Sequence, residues 1–304
     1  MSYKIGIIGV GNVGTSYAYS LINQGLDIRD IVLVDIDKDK TEGKALDLSH
    51  SLSFSRGYIN NVSCGKYEDI ADCNILCIAA GVPQNAKKAS RMEDIAKCSE
   101  IIDEIMQNVL KVNFNGIILV ASNPLDAITY KVGKMYHEDY NRVIGTGTLL
   151  DTQRLRYEIA QKLDFPLRSI SGYVFGEHGD SQFVAWSSVK INNTYNIEDY
   201  LSEHDMLEIE EKVKRGGSLV SSKQGYTCFG VANSLSKITR AIITNSLEEL
   251  PVCSYDKDNK IYISSLTCVG STGVISNKLY DYTEKEKEKY DISVKIVTDQ
   301  VKMM

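Results

Sequence analysis

Short apolar runs punctuate the first half of the chain at Lys4–Gly9, Ile31–Val34, Asn74–Ala79, Gly116–Ala121 and Arg142–Ile144. Apolar runs of about four to eight residues between turn signals predict strands buried on both faces. Between the runs the apolar positions take a helical period. Across Glu93–Val112, Ile95, Cys98, Ile102, Ile105 and Val109 fall on one face. Strand and helix in alternation predict a parallel sheet with helices on both sides. The second half has a different texture. Strands are expected at Ile170–Phe175, Phe183–Lys190 and Lys260–Thr267, favouring hairpins, with longer helices over 150–163, 203–222 and 227–247. The expected fold class is α/β, a doubly wound parallel sheet followed by an α+β domain. The boundary falls near residue 146, giving units of 1–145 and 146–304. No Pro- or Ser-rich linker marks it, so the two lobes are expected to share an interface. The mixed-sign run EKEKEK at 284–289 predicts the solvated face of a C-terminal helix.

Composition narrows the class. The 304 residues are 43% hydrophobic, enough for a sizeable core. A formal charge of −6 and a pI of about 5.4 argue against a nucleic-acid binder, which would carry a basic face. No apolar run reaches the roughly 18 residues of a membrane span. The opening MSYKIGIIGV meets its first glycine turn too early for a signal peptide. Cys64, Cys73, Cys77, Cys98, Cys228, Cys253 and Cys268 form no CxxC pair. They read as buried free thiols in a reducing compartment, which predicts a cytoplasmic protein.

The first chemical signal is IGIIGVGNVG, residues 5–14, where Gly9, Gly11 and Gly14 take the spacing G-x-G-x-x-G. An apolar strand precedes them and Asn12–Asn23 can form a helix after them. In that context Gly9 makes the tight turn, Gly11 admits a pyrophosphate to the backbone, and Gly14 lets helix and strand pack closely. The helix N-terminus offers N–H groups and partial positive charge to the phosphates. Asp35 ends the run IVLVD, where a Rossmann-type fold places the acid that bonds the adenosine ribose. A carboxylate there would repel a 2′-phosphate by about 1–4 kcal/mol at ~4 Å. NAD is therefore expected over NADP.

The remaining polar candidates are ambiguous on local evidence. Asn123 in SNPLD stands at the end of a strand, facing a ligand crevice or merely capping the next helix. Asp151 and Arg154 lie three apart on one helix face, as a functional or a surface pair. Arg91 closes the polar stretch GVPQNAKKASR, the kind of loop that serves as a lid, although any one cation there could be plainly solvated. His178, in GEHGDS, could be a turn residue, a metal ligand or a proton carrier.

The motifs GVGNVG, Asp35, SNPLD, GTLLDTQR, GEHGDS and GYTCFGVA resemble, in order and spacing, those of the L-lactate and malate dehydrogenase family, over about residues 4–270. VIGTGTLLDTQRLR and SGYVFGEHGDSQFVAW also look like its L-2-hydroxyisocaproate dehydrogenase branch. The resemblance implies an NAD-dependent oxidoreductase acting on a 2-hydroxy acid. It assigns His178 as the proton donor and acceptor, Asp151 as its partner, Arg154 to the substrate carboxylate and Arg91 to the C2 oxygen. Asn123 and Thr227 are implied at the substrate. Gly9, Gly11, Asn12, Val13, Gly14, Asp35, Gly81, Asn123 and Val231 are implied at the cofactor. HExxH is absent, and no metal is expected.

The family's selecting residue lies just after the strand that precedes Gly81, and Gln84 stands there. Glutamine resembles the lactate dehydrogenases and arginine the malate dehydrogenases, so a small monocarboxylic 2-oxo or 2-hydroxy acid is expected, pyruvate and lactate first. The stretch from Gln84 to Arg91 is one residue longer than the family pattern. In a shifted register Lys87 or Lys88 would supply a counter-charge and favour malate. Gly230 is small and could widen the pocket for larger acids. The resemblance also implies a homodimer or homotetramer. Bacterial members often bind a sugar bisphosphate between subunits. Here Arg156 is present, but Ser171 replaces the partner histidine, so weak or no activation is expected. The rival readings are a non-catalytic NAD-binding protein and an NAD-dependent glycosidase.

Overall fold

The computed structural model describes residues 2–82, 91–136 and 139–304, and only the main chain of residues 91–95. In the first half, β1 (Tyr3–Ile8), β2 (Ile28–Val34), β3 (Asn61–Cys64), β4 (Ile75–Ile78), β5 (Ile117–Val120) and β6 (Val143–Gly145) are all parallel, in the order 3-2-1-4-5-6. Helices α1 (Asn12–Asn23), α2 (Lys38–Ser51), α3 (Arg91–Lys111) and α4 (Leu125–Met135) connect them. Strand period explains the two-sided core. Ile5 and Ile7 face α1, where Tyr17, Leu21 and Ile22 are buried. Ile8 and Ile78 face α3 and α4, with Ile102, Met106, Ile128 and Val132. Each such side chain contributes about 1.5–3 kcal/mol when fully buried. The order reverses at β1 and β4. That switch point opens a crevice at the carboxyl ends of the strands.

The second half contains α5 (Leu149–Leu163), β7 (Ile170–Phe175), β8 (Phe183–Ile191), β9 (Tyr195–Asn196), α6 (Glu203–Gln224) and α7 (Phe229–Thr244), then β10 (Glu248–Asp256), β11 (Ile261–Gly270), β12 (Gly273–Ser276) and α8 (Glu284–Lys302). Strands β7, β8 and β9 form a small antiparallel sheet. Strands β10–β12 do not. They extend the large sheet to nine strands, with β10 antiparallel to β6 through Cys253 and Gly145.

Several elements escape the apolar pattern. Helix α2 is largely polar and buries only Thr41, Ala45 and Leu48. Strand β10 carries Glu248, Glu249 and Pro251, which disguise it as a loop. It meets β6 at a single pair, so that edge tolerates the proline. Strands β3, β9 and β12 are four residues or fewer, and α4 has a mixed pattern.

One expectation is corrected at α8. The EKEKEK run is not wholly solvated, because Glu286 is buried. It completes a capping box with Thr283 and accepts hydrogen bonds from the Ser187 N–H at 3.1 Å and hydroxyl at 2.7 Å. The third position of a capping box turns its acid back toward the preceding chain, and here that chain packs on β8. The seven cysteines are free, although Cys64 and Cys268 are only partly buried. Among the described residues no helix is long and apolar enough to cross a membrane.

Candidate active site

The glycine loop joins β1 to α1 at the switch point. Gly9 has φ of +90° and backs onto the chain just past β4, where a Cβ would lie 2.4 Å from the Ala80 nitrogen. A Cβ on Gly14 would lie 2.1 Å from the Gly9 oxygen, so alanine there would force helix and loop apart. A Cβ on Gly11 would meet nothing within 4 Å, which leaves that stretch of backbone open to an approaching ligand. Gly11 caps α1 without a side-chain hydrogen bond, and the first turn, with Asn12 and Val13, holds no acid. Free N–H groups and the positive end of the helix suit a phosphate. Asp35 follows β2. Its Oδ2 accepts the Val10 N–H at 2.6 Å and its Oδ1 the Asp37 N–H at 3.2 Å. Each carboxylate oxygen keeps a lone pair for a ribose hydroxyl. Gly81, just past β4, is exposed with open space around it. These residues fit a dinucleotide.

The proton-transfer candidates meet across three elements. Asp151 lies in the first turn of α5 and is completely buried. Helix α5 is tied to β7 by Thr148, whose hydroxyl donates to the Val174 oxygen at 2.5 Å, and by Thr152, whose hydroxyl accepts the Val174 N–H at 2.9 Å. Beyond β7, Gly176 turns at φ of +91° and pairs with Ser264 of β11. The next turn brings His178 back over α5. Its Nδ1 lies 2.7 Å from Asp151 Oδ2, while Asp151 Oδ1 accepts from Arg154 at 2.7 Å.

One buried carboxylate thus joins the imidazole and the guanidinium. Burial opposes its charge, but His178 and Arg154 outweigh burial and hold the Asp151 carboxyl below its usual range. For His178, burial lowers the pKa. Asp151 raises it by charge and hydrogen bond, Asp126 adds to that, and Arg154 opposes. The balance lies above the ordinary 6.5. An ionised carboxylate can only accept, so Nδ1 carries a proton in both states of the ring. Nε2 is the atom that gains and loses one.

Asn123, Asp151, Arg154, His178, Thr227 and Val231 line one crevice of about 440 Å³, with Thr146 at the end of β6 and Leu150 of α5. Asn123, at the carboxyl end of β5, is exposed toward it. Arg91 is the first residue of α3, and its side chain lies outside the described residues, as do Gln84, Lys87 and Lys88. Gly230 acts on the crevice indirectly: a Cβ there would lie 2.6 Å from Leu150 Cδ1. Ser171 donates to the Lys190 oxygen at 3.3 Å, and Arg156 to the Gly172 oxygen at 3.2 Å. Among the described residues no cluster of His, Cys, Asp and Glu could hold a metal.

Residues 3–145 match the family model of the lactate/malate dehydrogenase NAD binding domain, and residues 148–304 that of its alpha/beta C-terminal domain. The chain belongs to the lactate/malate dehydrogenase family. It is 38% identical over 303 residues to the L-lactate dehydrogenase of Bacillus pumilus, covering 96% of this chain and 95% of that protein. It is 35% identical over 299 residues to L-lactate dehydrogenase 1 of Lactococcus lactis subsp. lactis, covering 95% and 91%. The structure is similar to the crystal structure of the minor L-lactate dehydrogenase of Enterococcus mundtii in a ligands-bound form. There the TM-score is 0.95, at 34% identity, over 100% of this chain and 98% of that one. As a member of this family the chain uses NAD.

The lactate/malate dehydrogenase motifs did not reveal every polar residue at the crevice. Gln182, Lys214, Ser218 and Ser221 also line it. Three of these come from α6, whose glycine pair lies against Arg154: a Cβ on Gly216 would approach the Arg154 Cδ to 2.8 Å. The juxtaposed Gly216 and Gly217, unusual inside a helix, were the available signal. Asp126, within SNPLD, carries no role in the motif reading. Its signal was an acid in the first turn of a helix whose next three residues are all buried.

Proposed function

We propose that this chain is an NAD-dependent L-lactate dehydrogenase, interconverting pyruvate plus NADH and L-lactate plus NAD. The observation that carries this reading is the single buried carboxylate of Asp151, holding His178 and Arg154 side by side at the crevice. When bound, the dihydronicotinamide supplies the hydride that reaches C2 of the 2-oxo acid. Arg154 holds the substrate carboxylate in a two-bond fork and so fixes which face of C2 is presented. His178 gives its Nε2 proton to the C2 oxygen, leaving a neutral ring. Asp151 favours the charged ring beforehand and keeps the tautomer afterwards. Arg91 is assigned the C2 oxygen, where negative charge develops. Asn123 and Thr227 are assigned to the substrate, and Val231 to the wall beside the nicotinamide. Gln84 is assigned the substrate side chain, and a dicarboxylate facing it would bury an unpaired charge.

Gly230 favours a second substrate range. Glycine at 230 leaves Leu150 its seat, which supports a range that extends to larger 2-oxo acids. NADH oxidation with pyruvate, 2-oxoisocaproate and oxaloacetate tests both readings. Pyruvate is expected to show the highest kcat/KM. A preference for oxaloacetate would overturn the Gln84 assignment, and inactivity on all three would overturn the function.

In this reading residues 1–145 form the NAD-binding domain, which also lends Gln84, Arg91 and Asn123 to the substrate, and 146–304 form the substrate domain. The protein is cytoplasmic and a homodimer or homotetramer. Exposed Tyr19 of α1 and Phe229 of α7 support self-association: both border one groove and are 55% and 69% exposed. Analytical ultracentrifugation decides the state. With Ser171 bonded to its own sheet, fructose 1,6-bisphosphate is expected to lower the pyruvate KM weakly or not at all.

A further inference from the structure

Asp126 has no part in the reaction just described, yet it is buried to 1% exposure in the first turn of α4. Its Oδ2 accepts the main-chain N–H of His178 at 2.8 Å. Its Oδ1 is buried without a hydrogen-bond partner among the described residues. The thiol of Cys253 on β10, itself fully buried, neighbours the carboxyl. Burial pushes the carboxyl up and Glu177 adds to it, while the His178 N–H, the Cys253 thiol and the His178 charge pull it down; the balance lies at about 6. A buried carboxylate with an idle oxygen is a costly group. Helix α4 does not require its burial, because an exposed acid in the first turn also complements the helix dipole.

The position explains what the folded chain gains. Asp126 follows Asn123 by three residues, so its bond couples the turn that carries Asn123 to the main chain that carries His178. The catalytic ring is then held by two anions from two helices. Asp151 of α5 holds Nδ1, and Asp126 of α4 holds the peptide. Glu177 braces the same loop from the other side, accepting from the Ser181 hydroxyl at 2.6 Å and from Gln300 of α8 at 2.5 Å.

We propose that Asp126 is a positioning residue for proton transfer, fixing the main chain of His178 against the Asn123 turn and placing a second negative charge near the imidazolium. This rests on the role proposed above for His178. The groups that set the charge of the ring are then Asp151 and Arg154 from α5 and Asp126 from α4. Asp126 in turn faces Glu177 and Cys253.

The test uses full-length Asp126→Asn and Asp126→Ala. Asparagine keeps an oxygen for the His178 N–H but removes the charge, and alanine removes both. In Asp126→Asn the His178 imidazole, followed by NMR in the cofactor-free enzyme, is expected to half-titrate about 0.5–1 pH unit lower than in the parent. The upper limb of the pyruvate kcat/KM profile should move with it. In Asp126→Ala, kcat should fall about tenfold or more while NADH affinity stays within about twofold. Asparagine should restore most of that kcat below the titration. An unmoved His178 titration in Asp126→Asn overturns the proposal, even if both variants melt earlier, and it decides alone if Asp126→Ala does not fold. A parent enzyme inactive on every 2-oxo acid would sink the function but leave the titration result standing.

Discussion

Nδ1 of His178 and Oδ2 of Asp151 lie 2.7 Å apart, with the carboxylate shut off from solvent. The ring can neither rotate nor change tautomer without breaking a charge-assisted bond in a low-dielectric setting. His178→Asn removes the group that carries the proton. It is expected to lower kcat/KM for pyruvate by about 10²–10⁴ while NADH binding, read by fluorescence titration, stays near the parent value. Full turnover in that variant would exclude His178 from the chemistry.

The pH dependence follows from the direction of the His178 shift. Its pKa is raised above 6.5 chiefly because Asp151 outweighs the effect of burial. Reduction of pyruvate needs the protonated ring. Its kcat/KM should therefore be at its plateau below the folded pKa and fall as pH rises through it, at a pH above 6.5. Oxidation of lactate needs the neutral ring and should climb over the same interval. Asp151→Asn removes the main favourable charge, so both limbs should move to lower pH. Steady-state profiles in both directions measure this.

Arg154 is held by Asp151 Oδ1 at 2.7 Å and lies against the glycines of α6. Lysine would keep the charge but lose the planar fork. Arg154→Lys is expected to raise the pyruvate KM and reduce kcat/KM by about 10²-fold or more, corresponding to roughly 3 kcal/mol of charge-assisted hydrogen bonding. A kcat/KM within threefold of the parent would remove Arg154 from the substrate.

At the far end of the cofactor crevice, Asp35 holds the glycine loop through the Val10 N–H. Asp35→Ser removes the charge that would repel a 2′-phosphate. The NAD-over-NADP preference in kcat/KM should shrink by about tenfold, corresponding to ~1.4 kcal/mol. The loss of the bond to Val10 should also weaken NAD itself.

Gly230→Ala probes pocket width. The added Cβ would lie 2.6 Å from Leu150 Cδ1 and displace a side chain that lines the crevice. Activity on 2-oxoisocaproate should fall more than activity on pyruvate, and the ratio of the two kcat/KM values reports it. An unchanged ratio would mean that Leu150 does not border the substrate side chain.

The chain itself determined β1, β2, β4, β5 and β6 of the parallel half and the cofactor loop. Both depend on short-range patterns. The run of Ile5, Ile7 and Ile8 before Gly9 is strand, turn and phosphate site in one stretch, and Asn12–Asn23 is found as a helix over those residues. Motif order also pointed to His178, Asp151 and Arg154, because each stands in a recognisable local sequence. Tertiary structure decided what no local window contains. It carried β10–β12 across to finish the large sheet, despite Pro251 and two glutamates, since pairing with β6 and β11 outweighed local preference. It turned Glu286 inward. It brought Asp126 beneath a histidine 52 residues away, where a buried acid has meaning only through the group it faces. Periodicity and turn chemistry are written in neighbouring residues, whereas the value of a buried charge is set by whatever the fold places opposite it.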